Sequence, residues 1–246
     1  MIRVFLRFIL LLLLTFRVNA ADNPRWDDVR FHNLKAGQSY EIASGTGFYV
    51  NPNYIVTNQH VVENCKNIAV RGAIDSELAA LVGYDKNLDL AILYTRSSPE
   101  RVAYLRINDS QIKYGDILFT VGYPLDRGQT GEYIIQEGTV VKIKRLKKDT
   151  IIEFTNKVDH GNSGGPLLDG NANVVGVVKA KKTYFDSANP DNIYNITGVA
   201  VGMDSLRAFL EKYGVLYSQN TTYDLFTNYN LDIMTKEYVV NIHCIK

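Results

Sequence analysis

From Tyr40 to Val201 the chain is a succession of short β-rich runs, and this constrains the fold more than any other feature. YEIASGTGFYV, YIVTNQHVV, NIAVRGA, LAALVGY and LAILYT follow one another, and DILFTVGY, EYIIQEGTVVKI, TIIEFT, NVVGVVKA and YNITGVAV come after them. Val, Ile, Tyr and Thr dominate the runs, and their branched or flat side chains suit a pleated surface. Gly, Asn, Asp and Pro separate them, as turn residues do. No strand–helix alternation is present, which argues against a parallel sheet with crossover helices. Many short strands at this spacing predict an all-β sandwich or barrel. About ten of them are too many for one small barrel, so a division near Gly122–Glu132 predicts two barrels of similar size.

One segment departs from the strand pattern. In MDSLRAFLEKYG, Leu206, Phe209, Leu210 and Tyr213 recur at helical spacing and predict an apolar stripe that packs on the second barrel. Asp204 or Ser205 is placed to cap its start and Gly214 to end it in a left-handed turn. The expected organisation is a first barrel over 40–124 and a second barrel with this helix over 125–214. The segment 21–39 precedes them. A tail over 215–246, rich in Tyr and Asn, either adds a strand or wraps the surface.

Residues 1–20 read differently. Arg3 and Arg7 precede an apolar run from Phe8 to Phe16, and Val18-Asn19-Ala20 is a small-x-Ala cleavage site. This predicts a secretory signal removed after Ala20. The run is short for a membrane span and Arg17 interrupts it. The expected location is therefore periplasmic or secreted, with no membrane partner after cleavage. Formal net charge is +1, from 27 basic and 26 acidic residues, which gives no reason to expect nucleic acid or an anionic membrane as partner. The basic stretch Lys142–Lys148 reads as a solvated hairpin. His32, His60, His160 and His243 lack metal-ligand spacing, so no metal or organic cofactor is expected.

The stretch VDHGNSGGPLLDG sets Ser163 among glycines. A free serine is a poor nucleophile and needs a base beside it. His60 is expected at a strand end in TNQHVV, and Asp89 opens the apolar strand of NLDLAIL. Alone, each could be a surface histidine, a turn aspartate or a tight loop. Together, in the order His, Asp, Ser, they match a known linear arrangement of the Ser-His-Asp triad. One barrel would supply His60 and Asp89, and the other Ser163, with the site in the cleft between them. Attack on an amide carbonyl creates an oxyanion, which needs preorganised donors. The N–H groups of Gly161 and Ser163 can supply them if the loop turns sharply, and Gly161 tolerates the backbone angles required.

These pieces resemble the chymotrypsin-fold serine proteases, nearest the bacterial high-temperature-requirement (Deg-like) branch. The resemblance rests on GTGFYV, IVTNQHVV, LDLAIL, YGDILFTVGYP, GNSGGPL and NVVGVV, which occur in family order over residues 40 to 213. It implies two six-stranded antiparallel β-barrels. It also implies Ser163 as nucleophile, His60 as general base, Asp89 as the residue orienting it, and Gly161 and Ser163 as oxyanion donors. The expected activity is an exported serine endopeptidase acting on protein or peptide substrates through an acyl-enzyme. A catalytically silent homologue serving as a binding or scaffold protein is the alternative, and an acyltransferase or esterase a third reading.

The sequence departs from the family in places. The peptide-binding PDZ domain of Deg-like relatives is not expected, since 215–246 cannot hold one, and the oligomeric state stays open. VVKAKK stands where the Deg-like pattern carries an Asn-Thr pair, and His160 where a basic residue often sits. The residue six before the nucleophile, at the base of the specificity pocket in this fold, is Lys157. Pointing inward, it would select Asp or Glu, although Val178 replaces the pocket histidine of glutamyl endopeptidases. Pointing outward, it would pair with Glu153 or Asp159 and leave Val158, Val177 and Val178, beside Lys179, to line an apolar pocket. Either way, Lys and Arg should be poor residues before the scissile bond. Cys65 and Cys244 either pair, tying the tail across the first barrel, or remain two free thiols.

Overall fold

The computed structural model describes residues 38–107, 112–124, 132–146, 149–186, 193–220 and 228–246. The expected signal over 1–20 and most of the segment 21–39 lie outside them.

The first barrel is built from β1 (Ile42–Tyr49), β2 (Tyr54–Thr57), β3 (Asn67–Gly72), β4 (Glu77–Asp85) and β5 (Leu90–Tyr94). A one-turn helix, α1 (Gln59–Val62), follows β2. Five strands do not close this barrel. The sixth is β14 (Val239–Ile245), from the far end of the chain, and the order is β1-β14-β3-β4-β5-β2. β14 pairs antiparallel with both neighbours, with Phe48 opposite Val239 on one side and Ile245 opposite Asn67 on the other. Its Val239, Val240, Ile242 and Cys244 are fully buried.

The second barrel contains β7 (Ile117–Gly122), β8 (Ile134–Leu146), β9 (Asp149–Phe154), β10 (Pro166–Leu168), β11 (Val174–Phe185) and β12 (Ile193–Gly202). Pairing runs β10-β7-β8-β9-β12-β11, and a β10–β11 pairing closes the ring. Two short strands, β6 (Tyr104–Arg106) and β13 (Ser218–Asn220), extend it in parallel fashion beside β11. The fold is thus the expected pair of six-stranded antiparallel barrels.

The expected barrel boundary at residue 124 does not hold. β6 and β7 belong to the second sheet, and the first barrel recovers its missing strand from the tail. The physical reason is that a sheet edge must be paired or covered, and Val239–Ile245 is an apolar β-branched run able to cover two edges at once. The tail also holds a helix, α3 (Asn228–Lys236), which lies against β14.

The helix α2 (Met203–Lys212) packs on β9, β11 and β12 through Met203, Leu206, Phe209 and Leu210, all buried. Its caps differ in part from expectation. The N-cap is Gly202, with no side-chain bond to the first turn. Asp204 binds Arg207, and Ser205 Oγ donates to Asp149 Oδ1 at 2.6 Å, tying the helix to the barrel instead. The C-terminus is a Schellman turn. Gly214, at φ +65°, donates its N–H to Glu211 O, and Val215 donates to Leu210 O.

Cys65, just after α1, is disulfide-bonded to Cys244 of β14, with Cα atoms 5.2 Å apart. The bond joins the closing strand to the segment that carries His60. One residue away, His243 sits in a setting that opposes its charge. Burial, with help from the Arg71 guanidinium, lowers its pKa from 6.5 to about 4. The unfolded chain therefore takes up a proton as pH falls below 6.5, and the folded chain does so only near 4. Stability from this group is complete above pH 6.5 and is lost on acidification between 6.5 and 4. By pH 4.5 the loss should be on the order of 2 kcal/mol. Urea unfolding at pH 7 and 4.5 should show this difference in wild type, and a clearly smaller one in His243→Gln.

Candidate active site

Pairing between β2 and β5 ends at Thr57 and Ala91, and the chain then turns into α1. His60 therefore stands on a helical turn rather than at a strand end. The turn forms because Asp89 holds it. The backbone N–H of His60 donates to Asp89 Oδ1 at 3.0 Å, and the ring Nδ1 lies 2.8 Å from Asp89 Oδ2. An ionised carboxylate can only accept, so this contact places the ring proton on Nδ1 and the lone pair on Nε2. Asp89 itself has φ +59°, in the left-handed region. Asp is among the few side chains that tolerate it, and Asn58 Nδ2 steadies the strained peptide by donating to Asp89 O at 2.8 Å. The Asp89 carboxylate is largely buried, while about half of the His60 side chain is exposed.

The Ser163 loop approaches from the second barrel. Asn162 N–H donates to Asp159 O, closing a turn in which Gly161 has φ +96°. Gly164 follows at φ +85°. A Cβ there would lie 2.2 Å from Thr57 Oγ1 and 2.3 Å from Thr46 O, so only glycine lets the loop pass so close to the first barrel. Among the described residues, the N–H groups of Gly161 and Ser163 donate to no acceptor. Two adjacent backbone donors are thus left available on a fixed turn. The Ser163 hydroxyl donates to Lys179 O at 3.5 Å.

Thr46 on β1, not singled out by the sequence reading, fixes how the two barrels meet. Its hydroxyl donates to Gly161 O at 2.6 Å and accepts the Tyr123 N–H at 3.1 Å. Its N–H donates to Ser163 O, and its carbonyl accepts from Thr57 Oγ1. Four bonds from one fully buried residue join the Ser163 loop, β2 and the end of β7. The available signal was its place between two glycines in GTG, which marks close approach on both sides of a strand.

His60, Asp89, Ser163, Val158 and Lys179 line one cleft of about 400 Å³. Asp159, His160, Ala180 and Lys181 line it too, and no local pattern singles out Ala180 or Lys181 as site residues. Two expected pocket residues lie elsewhere. The Lys157 side chain is 71% exposed and its Nζ pairs with Asp159 Oδ2 at 2.8 Å, because water and a nearby carboxylate outcompete an apolar interior for an ammonium group. Val178 belongs to the second-barrel core with Val175, and Val177 is buried as well. Glu153, the other partner considered for Lys157, instead takes Lys182 at 3.0 Å and the Tyr184 hydroxyl. Burial would raise its pKa, but these donors outweigh it and hold Glu153 below the usual carboxylate range.

This geometry and the double barrel define a class, the chymotrypsin-fold peptidases. The chain belongs to the trypsin-like peptidase domain family, whose pattern it matches over residues 45–177, more than half its length. It is 34% identical over 177 residues to the Sinorhizobium fredii protein y4bJ, covering 70% of this chain and 28% of that one. It is 36% identical over 151 residues to a probable periplasmic serine endoprotease, DegP-like, of Bartonella henselae, covering 60% of this chain and 29% of the relative. The chain thus spans under a third of the length of these curated relatives. Among solved structures it resembles the inactive form of the M. tuberculosis Rv3671c protease. The TM-score is 0.56 at 26% identity, over 72% of this chain and 88% of that one.

The bonding of Thr46 yields a prediction. Thr46→Val keeps the shape but leaves Gly161 O and Tyr123 N–H buried and unpaired, at a cost of about 1–3 kcal/mol each. Turnover should fall by up to about 10²-fold through misplacement of the loop, with KM much less affected. Thr46→Ser should retain most activity. Steady-state kinetics on peptide substrates, with denaturant unfolding alongside, checks both.

Proposed function

We propose that this chain is an exported serine endopeptidase in which Ser163, His60 and Asp89 act as a catalytic triad. The observation that carries the proposal is the double hold of Asp89 on His60, facing Ser163 across one cleft. In this reading, substrate entry turns the Ser163 hydroxyl from Lys179 O toward His60 Nε2. His60 takes the serine proton as Oγ bonds to the scissile carbonyl carbon. The carbonyl oxygen becomes an oxyanion and accepts from the N–H groups of Gly161 and Ser163. His60 then gives the proton to the departing amine, leaving an acyl-serine. Water, deprotonated by the same nitrogen, releases the acid and restores the serine. Asp89 stays ionised throughout and stabilises the imidazolium.

The family membership supports peptidase chemistry, and the periplasmic designation of the DegP-like relative supports export. The residue before the scissile bond would rest near Val158, which favours a small apolar side chain and disfavours Lys or Arg. Expected outcomes for the triad are specific. Ser163→Ala or His60→Ala should lower kcat by several orders of magnitude with the fold intact, and Asp89→Asn by on the order of 10⁴, because the imidazole then carries its proton on the wrong nitrogen. Labelling by a fluorophosphonate probe in wild type and not in Ser163→Ala tests the assignment directly. Near wild-type peptidase activity in Ser163→Ala would overturn it.

A further inference from the structure

The charges that line the cleft do not balance. Two carboxylates face it, and both are engaged: Asp89 by His60, and Asp159 by Lys157 Nζ at 2.8 Å. Two lysines line it as well, Lys179 and Lys181. No carboxylate pairs with either among the described residues. Lys179 Nζ reaches only the carbonyl oxygen of Leu88, at 3.5 Å, and Lys181 is exposed and makes no ion pair. Their neighbour Lys182 behaves differently, lying 3.0 Å from Glu153 on the adjacent strand. With Asp159 paired to Lys157 and Asp89 beside a neutral imidazole, the ammonium groups of Lys179 and Lys181 outnumber the one carboxylate that no cation pairs among the described residues, so the cleft keeps an excess of positive charge.

Backbone geometry puts these lysines beside the nucleophile. β11 and β12 shift register between Val178 and Ala180, so Lys179 is the extra residue of a bulge. A bulge re-aims the side chain it carries. Lys181 pairs across the ladder with Gly198, whose missing side chain leaves room for Phe154 and Val158, and Lys181 itself is exposed along the cleft. The Ser163 loop is bonded to the start of this segment, with Gly164 N–H donating to Val178 O at 2.8 Å and Val178 N–H to Gly165 O at 2.9 Å, which sets Lys179 beside the serine.

We infer that Lys179 and Lys181 form a cationic clamp for an acidic side chain of the substrate, carried within about three residues of the bond cut. This rests on the peptidase reading above and names the substrate class for that site: chains bearing Asp or Glu next to a small apolar residue. The clamp is separate from Lys157, which the ion pair with Asp159 holds on the outer surface. Charge attraction in a partly walled cleft both draws such chains in and fixes their register.

The test uses the purified protein and pairs of peptides identical except for Glu or Gln at each of the three positions on either side of the scissile bond. The protein is also exposed to a fluorophosphonate probe. Wild type should turn over the best Glu peptide about fivefold faster, in kcat/KM, than its Gln twin, as expected for partly exposed ion pairs. The advantage should shrink as salt rises from 50 to 500 mM. The double variant Lys179→Met, Lys181→Met should bring the ratio to about one, and Lys181→Glu should turn it below one. Each ratio is internal to one preparation, so incomplete folding of a variant does not mimic the result. Probe labelling with equal Glu and Gln turnover at every position overturns the clamp alone. A ratio that survives the double variant does the same. No labelling and no cleavage overturns the peptidase reading and the clamp with it.

Discussion

The hydroxyl of Thr46 is the contact on which the geometry of the cleft depends. It sits where β1 of one barrel meets the turn at Gly161 and the end of β7 in the other. One buried apolar cluster runs through both barrels, joining Val61 and Val240 to Val121 and Val177, but apolar contact has no direction, so a few hydrogen bonds set the spacing at the cleft. A buried hydroxyl that both donates and accepts does this with no unpaired group left behind. The backbone of the same residue holds Ser163 O and Thr57 Oγ1. The Ser163 loop is thus referenced to the strand that leads into α1. Gly164 makes this possible, since any Cβ there would collide with that strand.

Closure of the first barrel by β14 adds a second constraint on the same region. β14 is hydrogen-bonded to β1, which carries Thr46, and to β3. The Cys65–Cys244 bond then links β14 to the end of α1, which carries His60. A disulfide across so long a loop stabilises by about 5 kcal/mol in the chain-entropy account. His60 is consequently held from two directions, by Asp89 at its ring and by the closing strand behind its helix. The left-handed backbone at Asp89 is a local cost that these holds allow the fold to carry.

Charge organises the second barrel's side of the cleft. Glu153 pairs with Lys182 and Tyr184, and Asp159 with Lys157, so the outer wall is internally neutral. Lys179 and Lys181 line the cleft, and no carboxylate among the described residues pairs with either. The β11–β12 ribbon therefore presents one neutralised face and one cationic face. It does so because side chains alternate along a strand and the bulge at Lys179 resets that alternation at the cleft.

What the sequence determined by itself was the chemistry and the class of fold. Short runs rich in Val, Ile and Tyr, broken by Gly and Asn, can satisfy their backbones only by pairing as strands. Their number demanded two barrels. The glycines around Ser163 announced a tight turn, and Leu206, Phe209 and Leu210 announced α2 by their period alone. Tertiary structure decided everything that depends on which segments meet. VVNIHCI is legible as a strand, but nothing local tells it to enter a barrel that begins nearly 200 residues earlier. His60 reads as the end of a strand because only a bond from Asp89, far along the chain, winds it into a turn. Ser205 reads as a cap until Asp149 claims its hydroxyl. Lys157 and Lys181 are the same residue type, and only the position of Asp159 holds one on the outer surface while β11 carries the other to the cleft. Periodicity and turn chemistry are properties of neighbours in sequence, whereas closure, charge pairing and side-chain direction are properties of neighbours in space.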